Sequence, residues 1–169
     1  GNLSGSSEVK LSDSFPADEV IPGMIISATG KSVLRRDEDG ALVLASTLPT
    51  VAITSKPYDK AAFGVFEGIH SLAPDHWYEA TESELFATVA TIGAGRVWVC
   101  GDQGTIEAGD YITSSALPGY GQVQDDDLLH SYTVAKATEA IEWVDVDETV
   151  YVNGQVRKVY LLSVVFTGS

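Results

Sequence analysis

The chain has 169 residues, 44% of them hydrophobic, with a formal net charge of -14 and a pI near 4.3. That hydrophobic share supports a buried core and excludes disorder. The acidity argues against binding to phosphate backbones or anionic membranes, and no window approaches the ~18 apolar residues of a membrane span.

In chain order, the small polar run Gly1 to Ser7 reads as a linker or cut end, and residues 1–11 are assigned to it. Residues 12–169 are then one all-β domain, with residues up to 19 extended and weakly packed. Ile21-Pro22-Gly23 is a turn signal, and Met24 to Ala28 is a first buried strand. Lys31–Arg36 and Ala41–Ala45 flank Asp37-Glu38-Asp39-Gly40, a hairpin turn. Thr50–Thr54 and Ala62–Phe66 are further short strands. Residues 68–84 are the least strand-like piece and are assigned to a long loop insertion.

Strand signals resume at Phe86–Ile92, with Gly93-Ala94-Gly95 as a turn and Arg96–Cys100 as a strand. After Gly101–Gly104 come short strands near Ile106, Tyr111–Ser114, Gln122–Gln124 and Tyr132–Thr138. Asn153-Gly154, between Glu148–Val152 and Gln155–Leu162, is the strongest hairpin signal, because both turn residues must take positive φ. The near-continuous apolar end from Val159 to Phe166 implies burial on both faces, in so small a domain against another subunit. The expected architecture is a small barrel or clip-like sandwich of short strands. Pro22–Ser27 echoes Ala108–Thr113, and Phe63–Phe66 echoes Tyr132–Ala135, which suggests two β units sharing one barrel-like core.

Cys100 is the only cysteine, so no intrachain disulfide forms, and its neighbours Val97, Trp98 and Val99 suggest a buried, inert thiol. Asp37-Glu38-Asp39-Gly40 fails as a calcium loop, since the twelfth residue from Asp37 is Leu48 rather than glutamate. His70, His76 and His130 lack zinc spacing. Neither metal nor cofactor is expected. Two segments hold chemistry worth weighing. In Ser12–Glu19 a serine hydroxyl lies beside carboxylates that can accept its proton, the minimal requirement for self-cleavage. His76-Trp77-Tyr78 offers aromatics that stack on sugars or anchor a partner, or else cap the core.

One resemblance emerges from these residues. The run Gly95-Arg96-Val97-x-Val99, Ile106-x-x-Gly109-Asp110-x-Ile112-Thr113-Ser114-Ser115, Pro118-Gly119-Tyr120 and Val134-Ala135-Lys136-Ala137-x-Glu139 resembles the C-terminal domain of phage tail-fibre and neck-appendage proteins. Val20–Met24, Phe63–Val65 and Leu161–Val165 follow the same order of elements. The resemblance implies a homotrimeric intramolecular chaperone at the end of a fibre shaft, located on the virion or in host cytoplasm during assembly. Some members release themselves by autoproteolysis at an acidic-aromatic segment. The approximate counterpart here is Asp13 to Glu19, with Ser14 as nucleophile and Asp13, Asp18 or Glu19 as proton acceptor. The alternatives are a non-cleaving cap, and a tip that binds a host receptor or glycan through His76, Trp77 and Tyr78.

Overall fold

The computed structural model describes residues 6–37, 39–70 and 85–168. Apart from a 3-10 turn at Trp143–Asp145, its regular structure is strand: β1 (Ser6–Leu11), β2 (Ile25–Arg36), β3 (Leu42–Ile53), β4 (Ala62–His70), β5 (Phe86–Ala90), β6 (Ile92–Gly101), β7 (Thr105–Ile106), β8 (Tyr111–Ser114), β9 (Gly121–Val123), β10 (Thr133–Ala137), β11 (Ile141–Glu142), β12 (Thr149–Val152) and β13 (Gln155–Thr167). The all-β barrel class expected from the sequence is the class found. No described helix is long and apolar enough to cross a membrane.

Two five-stranded rings dominate the fold, and β7 pairs with β11 in a separate two-stranded sheet. The first closes in the order β1-β3-β2-β4-β5. The second runs β10-β8-β9-β6-β13, and pairing of β10 with β13 closes it, leaving β12 outside on the edge of β13. The order and direction of pairing are the same in both. β1 meets β3 in parallel at Leu11–Val51, as β6 meets β9 at Val99–Gly121, and every other contact is antiparallel. The Gly23 amide donates to the Phe66 carbonyl (2.9 Å) and Phe66 returns a bond to Met24 (2.8 Å). Gly109, Ala137 and Asp110 repeat this at 2.8 Å and 2.8 Å. Both glycines are left-handed, with φ of 102° and 100°. The sequence echo thus marks the entries to equivalent strands β2 and β8, but it leads to two rings rather than one core.

Alternation places Val9, Ile26, Val51, Phe66, Ala87 and Val89 inside the first ring, and Val97, Val99, Ile112, Ala135, Leu162 and Val164 inside the second. Ile25, Ala62 and Val65 of the first ring pack into the second ring's cluster and join the two.

Several expectations change. Residues 6–11, assigned to a linker, form β1, whose Val9 is fully buried and whose pairing spans the chain to β5 and β3. Gly93-Ala94-Gly95 is not a turn but the start of β6, paired with Phe166, Val165 and Val164. A methyl on Gly95 would stand 2.6 Å from Phe166 Cε2, so this glycine admits a ring rather than reversing the chain. Residues 68–70 belong to β4 rather than to the insertion, and 71–84 lie outside the described residues. The apolar end strand buries Val159, Leu162 and Val164 within its own chain, against β6 and β10.

Candidate functional site

Residues 12–24 link β1 to β2 across the junction of the two rings. Phe15 anchors this segment on Phe66, ring centroids 6.1 Å apart, and the Val20 amide donates to Pro16 at 3.2 Å. Pro16, Glu19 and Val20 thereby become one wall of a cleft of about 260 Å³. Met24 and Ile53 come from the first ring, Leu117, Pro118 and Tyr120 from the β8–β9 turn, and Val150 and Val152 from β12.

The turn that delivers Tyr120 is held from both sides. The Ser115 hydroxyl donates to the Tyr120 carbonyl at 2.6 Å and accepts from the Leu117 amide at 3.2 Å, while the Cys100 thiol reaches Ser115 Oγ at 3.3 Å. The Gly119 amide donates to the Thr54 carbonyl at 2.9 Å and the Gly119 carbonyl accepts from the Ile25 amide at 2.8 Å, which locks the turn onto the first ring. Gly119 has φ 82°, and a methyl there would meet Met24 Sδ at 2.8 Å, so the close approach requires glycine. Tyr120 is 5% exposed and packs edge-on against Trp98 with centroids 6.0 Å apart. Burial, then the charge of Glu148 and the Cys100 thiol, push this phenol above its ordinary pKa, so it keeps its proton.

Asp13, Ser14, Asp18 and Glu19 are all exposed on the same segment. Among the described residues no hydrogen bond joins Ser14 to any of the three carboxylates. What sequence reasoning missed is Ser12, whose Oγ is the buried side-chain polar atom without a partner among the described residues. Its amide donates to the Val51 carbonyl at 3.0 Å, a long-range contact that no local signal announces. His76, Trp77 and Tyr78 lie outside the described residues.

A second cleft of about 280 Å³ between the rings holds Arg96, already engaged by Glu139 at 3.4 Å and the Leu161 carbonyl at 3.1 Å. On the second ring His130 pairs with Asp126 at 2.9 Å and stacks on Tyr132 at 4.5 Å. Among the described residues no three potential ligands gather where they would hold a metal. Comparison with protein-family models, with curated proteins and with solved structures finds no match.

Proposed function

We propose that this chain is the C-terminal assembly domain of a viral tail fibre or spike, holding three copies in register while the shaft upstream folds. The observation that carries the reading is the outer half of the β2–β3 hairpin. Only Ile25–Ser27 of β2 pairs with β4; from Ser32–Pro49 outward, β2 pairs with β3 alone as a two-stranded arm. Along this arm Leu34, Leu42 and Leu44 are 54%, 46% and 90% exposed. A two-stranded ribbon is marginal alone, and contiguous exposed apolar residues mark association sites. Equivalent arms of two further copies supply the cover.

The resemblance to fibre-terminal chaperone domains supports the same reading, as does the logic of fibre folding. Non-local β pairing is slow and register-prone, and early trimerisation raises the local strand concentration. The net charge of -14 keeps the domain soluble while the shaft is unfolded.

Light scattering on the eluting protein at about 10 μM tests the oligomer. The expected mass is three times 17.9 kDa, and a Leu34→Ser, Leu42→Ser, Leu44→Ser variant runs as a folded monomer. Added salt strengthens the association by screening like charges. A monomeric wild-type chain at that concentration ends the proposal. Self-cleavage before or at Ser14 is the separable part: a chain extended upstream yields two fragments, and Ser14→Ala yields one. Identical bands from both remove the protease role and leave a non-cleaving cap.

A further inference from the structure

We propose that β12 is a docking edge for a second copy of this chain, the two β12 strands joining antiparallel about a two-fold axis at Val150. The contact belongs to the strand outside the second ring rather than to the β2–β3 arm, so it stands apart from the fibre-assembly reading.

β12 pairs with β13 on one side and with no strand on the other among the described residues. The register fixes where its backbone groups point. The Glu148 carbonyl accepts from the Val159 amide at 3.0 Å, and the ladder continues through Thr149–Lys158, Val150–Arg157, Tyr151–Val156 and Val152–Gln155. Hydrogen-bonded pairs alternate along an antiparallel ladder, so Val150 and Val152 turn their amides and carbonyls to β13, while Thr149 and Tyr151 turn theirs to the open edge. Proteins commonly guard such an edge with lysine, proline or a bulge. The run Thr149-Val150-Tyr151-Val152 has no charge and no proline, and its register with β13 is unbroken. Beside the edge, Tyr151 and Val156 stand directly opposite each other, 75% and 66% exposed.

What fits this edge is the same strand reversed. About a two-fold axis at Val150, Thr149 of each copy stands opposite Tyr151 of the other, and each such pair exchanges the amides and carbonyls that one chain leaves at its open edge. The two Tyr151 rings come within diagonal reach across the axis. Charge favours this arrangement over its alternatives. Each copy carries -14, and Asp147 and Glu148 lead into the strand. In the reversed register they lie opposite Asn153 and Val152 of the second copy, which are uncharged, whereas parallel strands would set like carboxylates side by side. The contact is small, so a Kd on the order of 1 mM is expected, and at about 10 μM it leaves the oligomer mass unchanged.

Oxidative cross-linking of the full chain tests the pairing. Val150 meets Val150 of the second copy in a non-hydrogen-bonded pair, with Cα atoms about 4.5 Å apart and within disulfide range. Val150→Cys is expected to give a disulfide-linked dimer on a non-reducing gel, in at least about ten-fold higher yield at about 500 μM than at about 10 μM. In Val152→Cys the same register sets the two new thiols about 13 Å apart, so at least about ten-fold less dimer is expected. The buried Cys100 is common to both variants. Adding Leu34→Ser, Leu42→Ser and Leu44→Ser to Val150→Cys leaves the cross-link in place, which separates this contact from the arm. On the unsubstituted chain, nitrogen–proton correlation spectra over the same concentrations are expected to shift the Thr149 and Tyr151 amides more than those of Val150 and Val152. The proposal is overturned if Val150→Cys, folded by the dispersion of its spectrum, stays unlinked, or if Val152→Cys links equally well. It is also overturned if the arm substitutions abolish the cross-link, or if the four amides of the unsubstituted chain do not move with concentration.

Discussion

The indole of Trp98 donates its Nε1–H to the carbonyl of Pro22 at 3.0 Å, and this bond fastens β6 of the second ring to the turn that opens β2 of the first. The backbone amide of Trp98 adds a bond to Gly23 at 2.8 Å, and its ring packs edge-on against Tyr120. Trp98→Phe keeps most of the apolar body but removes the donor and weakens the ring contact. A loss of about 1–2 kcal/mol is expected from one hydrogen bond and part of an aromatic pair. Urea denaturation should show a lower midpoint with an unchanged slope.

Gly23 is constrained twice over, by φ 102° and by a hypothetical methyl 2.8 Å from Trp98 Cδ1 and 2.9 Å from Leu161 Cδ1. Gly40 shares the left-handed backbone at φ 84° but has open space around it. Gly40→Ala should therefore cost about 1–2 kcal/mol through conformation alone. Gly23→Ala should cost about 2–4 kcal/mol, because side chains must also move. Equal losses in thermal or urea unfolding would mean that the Trp98 and Leu161 contacts yield freely.

Asp126 titrates below its ordinary value of 3.8, first because the His130 side chain hydrogen-bonds to it and then because the Leu128 amide does so. A carboxyl with a lowered folded pKa stabilises the fold above the unfolded pKa, and that contribution disappears as pH falls through the folded pKa. Asp126→Asn should lower the urea midpoint at about pH 6–7, and the gap from wild type should close below about pH 4. A gap that persists unchanged at acid pH would assign the effect to packing rather than charge.

Cys100 is buried and its thiol is engaged with Ser115. A disulfide reagent such as dithionitrobenzoate should label the native protein at least about a hundred-fold more slowly than the urea-unfolded chain, following the population of open states. Rapid native labelling would show that the turn above it opens readily.

The parts of the fold governed by neighbours in sequence were legible. Asn153 and Gly154 take φ of 53° and 79° and join β12 to β13, as the dipeptide requires. Asp37 Oδ1 accepts from the amides of Asp39 and Ala41 at 2.9 Å each, the local bonding that makes aspartate a turn former. The parts set by partners far along the chain were not. β1 is short and polar at its start, and only its pairing with Ala87, Val89 and Val51 makes a strand of it. Gly95 reads as a turn until Phe166, 71 positions away, is placed against it. Along the 12–24 segment, Glu19 is legible as a carboxylate near Ser14, whereas Ser12 stands out only in the fold, where its Oγ is buried without a partner among the described residues.

Between Ala90, the last residue of β5, and Ile92, the first of β6, stands Thr91 alone. One residue gives no room for a swivel, and the rings are further bolted together where Ile25, Ala62 and Val65 intrude upon their neighbour's interior. Tension entering at one end of the molecule would therefore pass along hydrogen-bonded ladders from the first ring to the second without meeting a slack tether. That is the mechanical character of a strut.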